Sequence, residues 1–119
     1  MAFDDLRSFM RALDENGQLL KITEQVKAEP DLAAAANATG RIGEGAPALY
    51  FDNVEGFTDA RIALNTLGSW PNNAIAMGLP PSTSTNEQIA EYIRRWDTFP
   101  ITPERRENPA WAENTVDGE

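Results

Sequence analysis

The chain has no cysteine and no histidine, and its 10 Lys and Arg are outnumbered by 19 Asp and Glu, for a formal net charge of −9. Without cysteine there are no disulfides, no thiolate nucleophiles and no Cys-based metal sites. Without histidine there is no Ser-His-Asp triad, no imidazole ligand and no side chain whose unperturbed pKa lies near neutrality. Cations are scarce and scattered apart from Arg94-Arg95 and Arg105-Arg106. Nucleic acid would therefore be repelled over most of the surface. No run of about 18 apolar residues is present to span a bilayer, and the acidic start Met1-Ala2-Phe3-Asp4-Asp5 is unlike a secretory signal. The expectation is no membrane partner and a cytoplasmic location, with the net charge serving solubility.

What remains is an ordinary soluble composition, 41% apolar over 119 residues, enough for one domain with its own core. Leu6, Phe9, Met10 and Leu13 recur on one helical face, Asp4 is placed to cap that helix, and Gly17 suits the left-handed residue that stops it. A strand follows at once, with Leu20, Ile22 and Val26 on the buried side and Lys21, Thr23 and Gln25 on the other; Glu24 interrupts the pattern. A second helix is predicted over Pro30 to Ile42, Pro in its first turn and Asp31 at the positive end of its dipole. Its inward stripe is Leu32, Ala35, Ala36, Thr39 and Ile42, small enough to lie close on a sheet.

Gly43 and Gly45 end that helix, and Ala46 to Phe51 reads as a short strand buried on both faces. The turn-rich stretch Asp52 to Asp59 then leads to a third strand over Arg61 to Leu67, a hairpin pattern. Because a whole helix separates the first two strands, those two are expected to be parallel, giving a mixed sheet. Pro71 to Met77 forms a short helix that stops at Gly78-Leu79-Pro80-Pro81. A last helix, capped by Thr83 or Thr85 and ending near Thr98, has Ile89, Ile93 and Trp96 as its expected buried stripe and a Glu91–Arg95 pair one turn apart. The fold class is α/β (α+β): about three mixed strands with about four helices over residues 1–98. Residues 99–119 are read as a Pro-rich linker or tail, broken by Pro100, Pro103 and Pro109, in which Ile101 and Trp111 need a surface to lie on.

No candidate chemistry survives inspection. Gly40-Arg41-Ile42-Gly43-Glu44-Gly45 follows a helix instead of opening one, the wrong end for phosphate. Asn37-Ala38-Thr39 matches a glycosylation acceptor but sits inside a predicted helix. The pairs Asp4-Asp5 and Asp14-Glu15 diverge as neighbours on a helix must, and Asp52, Glu55 and Asp59 lack the ordered spacing of a calcium loop. Trp70 beside Pro71, and Tyr50 with Phe51, are expected to pack in the core, while the two Arg pairs are expected in solvent. The expected set of catalytic, cofactor-binding and metal-binding residues is empty.

The opening Asp5-Leu6-Arg7, Phe9, Leu13, Gly17, Leu19-Leu20 and Ile22-Thr23 resemble the start of the UbiD-like decarboxylases. Three later segments agree in order and spacing: Gly45-Ala46-Pro47-Ala48-Leu49-Tyr50-Phe51 through Gly56-Phe57, Ile62-Ala63-Leu64-Asn65-Thr66-Leu67-Gly68, and Ala74-Ile75-Ala76-Met77-Gly78. Together they cover about residues 4–98. The tail, with Pro103-Glu104-Arg105-Arg106 and Asn114-Thr115-Val116-Asp117-Gly118, resembles the branch acting on hydroxybenzoates, such as 4-hydroxybenzoate or protocatechuate. The resemblance implies a non-oxidative decarboxylase using prenylated FMN, a divalent metal, usually manganese, and a monovalent cation, all held in a central flavin domain that this chain does not match. It therefore implies the amino-terminal domain of such an enzyme, inactive alone. Its partners would be the flavin-binding and carboxyl-terminal domains of a homo-oligomeric whole. The alternative is a freestanding protein-interaction or regulatory module.

Overall fold

A computed structural model describes residues 3–98, 102–116 and 118. Helix α1 (Leu6–Glu15) leads into strand β1 (Leu19–Ile22), α2 (Asp31–Gly40), β2 (Ala48–Phe51), β3 (Ile62–Leu64), α3 (Trp70–Ala76) and α4 (Thr85–Trp96), with one 3-10 turn at Ala110–Ala112. The sheet order is β1-β2-β3. β1 pairs with β2 in parallel, Leu20 opposite Leu49, and β2 pairs with β3 antiparallel, Tyr50 opposite Ala63. The mixed α+β sheet expected from the connection lengths is the one observed.

The start of α1 is capped by Asp5, whose carboxylate accepts from the Ser8 amide at 2.6 Å while the Ser8 hydroxyl answers the Asp5 amide at 3.2 Å. Asp4, the expected cap, lies one residue too early for its carboxylate to meet the third helical N–H. At the other end Gly17 takes φ 69°, with bonds from the Gly17 amide to Asp14 O and from the Gln18 amide to Leu13 O. This is the paired closure that needs a left-handed residue. It turns the chain straight into β1.

Phe9 and Leu13 of α1, Ala48 of β2 and Ile75 of α3 form the core cluster, with Phe3, Met10, Ala12, Leu19 and Ala76 packed against it. Phe3 and Phe9 meet with ring centroids 5.2 Å apart. α1 lies on the Leu19 side, and of the face expected to be buried Leu20 is exposed while Ile22 and Val26 are half-buried; Lys21, Thr23 and Gln25 are exposed as expected. The strand also stops at Ile22, and Val26 rejoins only as an isolated parallel bridge to Val54.

In α2 the small inward stripe holds, Leu32, Ala35 and Ala36 half-buried and Thr39 buried, but the helix ends at Gly40 and Ile42 is exposed. β2 and β3 are shorter than expected, and Leu67, beyond β3, is exposed. Trp70, expected in the core, opens α3 and is 40% exposed.

The largest correction concerns α4. Its cap is Ser84, not Thr83 or Thr85: the Glu87 carboxylate accepts from the Ser84 amide at 3.0 Å and from its hydroxyl at 2.6 Å. Its expected buried stripe is outside, Ile89, Ile93 and Trp96 being 47%, 59% and 61% exposed, and Tyr92 beside them is 60% exposed. Only Gln88 of this helix is buried, its amide donating to Thr83 O at 2.8 Å, and Arg95 reaches Met77 O at 2.8 Å. The total accessible surface is 9332 Å² for 13.1 kDa. A self-contained folded monomer of that mass exposes roughly 6,400 Å². The radius of gyration, 17.3 Å, likewise exceeds the roughly 13.5 Å of a compact domain of this length. The exposed apolar side chains of α4 contribute to this surface, as does Trp111, which is 85% exposed; Pro100 and Ile101 lie outside the described residues.

Candidate functional site

Carboxylates with displaced pKa values are where catalysis would be sought, and here each has a structural cause. Asp5 is lowered by the Ser8 backbone and side-chain hydrogen bonds of its cap, and Glu87 by those of Ser84. Glu91 is lowered to about 2 by hydrogen bonds from Arg94 and then Arg95, whose guanidiniums reach it at 2.6 and 2.7 Å. The same contact raises Arg94. These groups cap and brace α1 and α4, and none faces an enclosed cavity. Arg106 lies 3.8 Å from Glu104 in the tail.

Among the described residues no group of three His, Cys, Asp or Glu could hold a metal ion, so Asp52, Glu55 and Asp59 do not converge. Gly43 and Gly45, with φ 84° and 94°, turn the chain after α2. Asn37 donates to Ala33 O at 3.2 Å inside that helix. Of the aromatic candidates Phe51 is fully buried, and Tyr50 lies half-exposed in a groove. Among the described residues Gly43 and Gly45 follow α2 instead of opening a helix, so their amides are not those of a helix start that could cradle a phosphate.

Two features went unforeseen. At the turn between β3 and α3, Asn65 takes φ 54°, its amide donating to Ala36 O at 2.9 Å, and so ties α2 to the end of the sheet. Nearby, the buried Ser69 Oγ and Asn72 Oδ1 have no hydrogen-bond partner. Asparagine is the non-glycine residue that most readily adopts the left-handed region, which is the sequence signal that could have marked position 65. The second feature is an open groove of about 790 Å³ between α1 and the sheet, lined by residues of α1, Leu19 and Lys21 of β1, Tyr50 of β2, and Arg61 and Ala63 at β3. No periodicity announces it, because its cations come from three separate stretches of chain: Arg7 and Arg11 on α1, Lys21 on β1 and Arg61 before β3.

With this geometry in hand, comparison with known proteins is decisive. A family profile described as the 3-octaprenyl-4-hydroxybenzoate carboxy-lyase N-terminal domain matches residues 10–93. The chain belongs to this UbiD amino-terminal domain family. Over its whole length it is 75% identical to a phenolic acid decarboxylase of Escherichia coli O157:H7 and 66% identical to one of Streptomyces sp. strain D7, covering 25% of each. A phenolic acid decarboxylase of Sedimentibacter hydroxybenzoicus is 40% identical over 97% of the chain and 24% of that protein. The chain thus spans about a quarter of the length of these relatives.

Among solved structures, vanillic acid decarboxylase of Sedimentibacter hydroxybenzoicus in its closed form superposes with TM-score 0.85 at 39% identity, over 98% of this chain and 25% of the other. Its open form gives 0.80 at 42% identity, over 85% of this chain and 21% of the other. The family expected from the four ordered segments is the family found.

Proposed function

We propose that this chain is the amino-terminal domain of a UbiD-type non-oxidative decarboxylase of phenolic acids of the hydroxybenzoate class, and that it has no activity alone. One observation carries the reading: the whole chain aligns without loss to phenolic acid decarboxylases four times its length. In this reading prenylated FMN, manganese and a monovalent cation are held by the remainder of the enzyme. The exposed stripe of α4 is then the seat of that remainder, because contiguous apolar patches of this kind mark surfaces that a partner covers. The assembled enzyme would work in the cytoplasm as a homo-oligomer.

The test is carbon dioxide release from 4-hydroxybenzoate and protocatechuate, with prenylated FMN and manganese supplied. The chain alone is expected to match a no-protein control, and the enzyme containing it to turn over. Turnover by the chain alone would overturn the assignment. A pull-down of the separately produced remainder on the chain distinguishes a domain from a freestanding module: specific association is expected, and association abolished by Ile89→Asp with Ile93→Asp identifies α4 as the contact.

A further inference from the structure

We infer that the groove between α1 and the sheet is an accessory, non-catalytic binding site for an aromatic carboxylate. The strand register builds it. Lys21, Tyr50 and Ala63 stand opposite one another across β1, β2 and β3 and so share one face of the sheet, the face that also carries Leu19 and Ala48. Helix α1 covers that face only at its Leu19 and Ala48 end, where Phe9 and Leu13 pack. The row Lys21, Tyr50 and Ala63 is left as the floor of the groove, with Leu6, Arg7, Met10 and Arg11 as its helix wall. Its volume of about 790 Å³ falls within the roughly 300–1,000 Å³ of small-molecule sites.

The charge in the groove runs against that of the chain. Four of the ten cations line it, against one carboxylate, Asp14, on a chain of net charge −9. Asp14 is taken by Lys21 at 2.5 Å. Arg61 is anchored through Nη1, which donates to Asp52 O at 3.1 Å and Ala60 O at 2.8 Å. The guanidiniums of Arg7 and Arg11, one helical turn apart, make no ion pair or hydrogen bond among the described residues, and neither does the Tyr50 hydroxyl. Both arginines reach Asp5 only through the longer-range field that helps its cap bonds lower its carboxyl.

Two open guanidinium forks beside an apolar floor with a phenol at its centre select a planar apolar body that ends in a carboxylate. An inorganic anion would meet the forks and leave the floor wet. A neutral phenol would cover the floor and leave the forks unmatched. The role, though not the site, rests on the decarboxylase reading: an acid fits the groove and its decarboxylated product does not. On a protein whose surface mostly repels anions, a cation-lined groove also raises the local concentration of an anionic substrate.

Equilibrium dialysis of benzoate against the chain and against the whole enzyme that contains it tests this, with NMR shift mapping on the chain. The expected result is one site per chain, with shifts centred on Lys21, Tyr50 and Ala63, and binding of phenol or inorganic phosphate weaker by about tenfold or more. Arg7→Gln with Arg11→Gln is expected to weaken benzoate by about tenfold or more. Ala63→Phe, which fills the floor and leaves every charge in place, is expected to do the same. All three positions lie outside the core cluster, so circular dichroism should be unchanged. In the whole enzyme either variant should remove one benzoate site per chain. Absence of binding would overturn the inference, as would phosphate binding equal to that of benzoate, which would mean charge attraction alone. So would indifference to either variant, or a site present in the chain and missing from the whole enzyme, which would mean that the remainder covers the groove. Dialysis reads binding without turnover, so carbon dioxide release by the chain alone would sink the domain assignment and leave this site standing, and loss of the site would leave that assignment untouched.

Discussion

Helices α1 and α4 are built alike and used in opposite ways. Each opens with a reciprocal capping box, Asp5 with Ser8 and Ser84 with Glu87, and each carries an apolar stripe at helical spacing. In α1 that stripe reaches Leu13, fully buried between sheet and α3; in α4 it faces solvent from Ile89 to Trp96. The difference teaches that periodicity reports amphipathicity but not which surface satisfies it. α1 completes the core of this domain, whereas the apolar face of α4 is left open to solvent by the described residues.

The sharpest way to break the comparison is to truncate equivalent positions. Leu13→Ala is expected to cost about 2–5 kcal/mol in urea unfolding, because it leaves a cavity in a small core. Ile93→Ala is expected to stay within about 0.5 kcal/mol. Equal losses would mean that α4 is as deeply integrated as α1. Next in size is Gly17→Ala, at about 1–2 kcal/mol. A Cβ at Gly17 meets nothing within 4 Å, so that cost comes from the positive φ alone.

Removing the caps separates the helices again. Asp5→Ala and Ser84→Ala each delete one capping box, worth about 1 kcal/mol. The first is expected to lower the global unfolding midpoint. The second is expected to fray α4, seen as faster amide exchange near its start with little change in the midpoint.

The smallest effect is the acid limb of α4. The pKa of Glu91 lies at about 2 in the folded chain against an ordinary value of 4.5, because Arg94 and Arg95 favour the carboxylate. A folded value below the unfolded one means that its contribution is complete above the unfolded pKa and is lost as pH falls toward 2. Carboxyl NMR titration is expected to place Glu91 well below the other glutamates, and Arg94→Gln to raise it.

Much of the fold was legible because local rules and tertiary demands coincide. The helix between the first two strands requires a parallel pair, the turn-rich Asp52–Asp59 stretch a hairpin, and the alanines of α2 a close approach; all are observed. Local chemistry also contained the cap of α4, since Ser84 followed by Glu87 three residues later is the sequence pattern of a capping box. Leu20 was misread for a different reason: alternation identifies two faces of β1 but not which of them α1 will cover. The groove was illegible altogether, because Arg7, Arg11, Lys21 and Arg61 are brought together only by the sheet. The stripe of α4 was read correctly as apolar and wrongly as buried, since spacing identifies an apolar face without showing that the described residues cover it.

Hydroxyl-radical footprinting of Tyr92 in this chain and in the enzyme that contains it tests the central claim most directly. A domain whose α4 seats the rest of a decarboxylase predicts rapid oxidation of Tyr92 in the chain alone and strong protection in the whole enzyme. Equal reactivity in the two would contradict it.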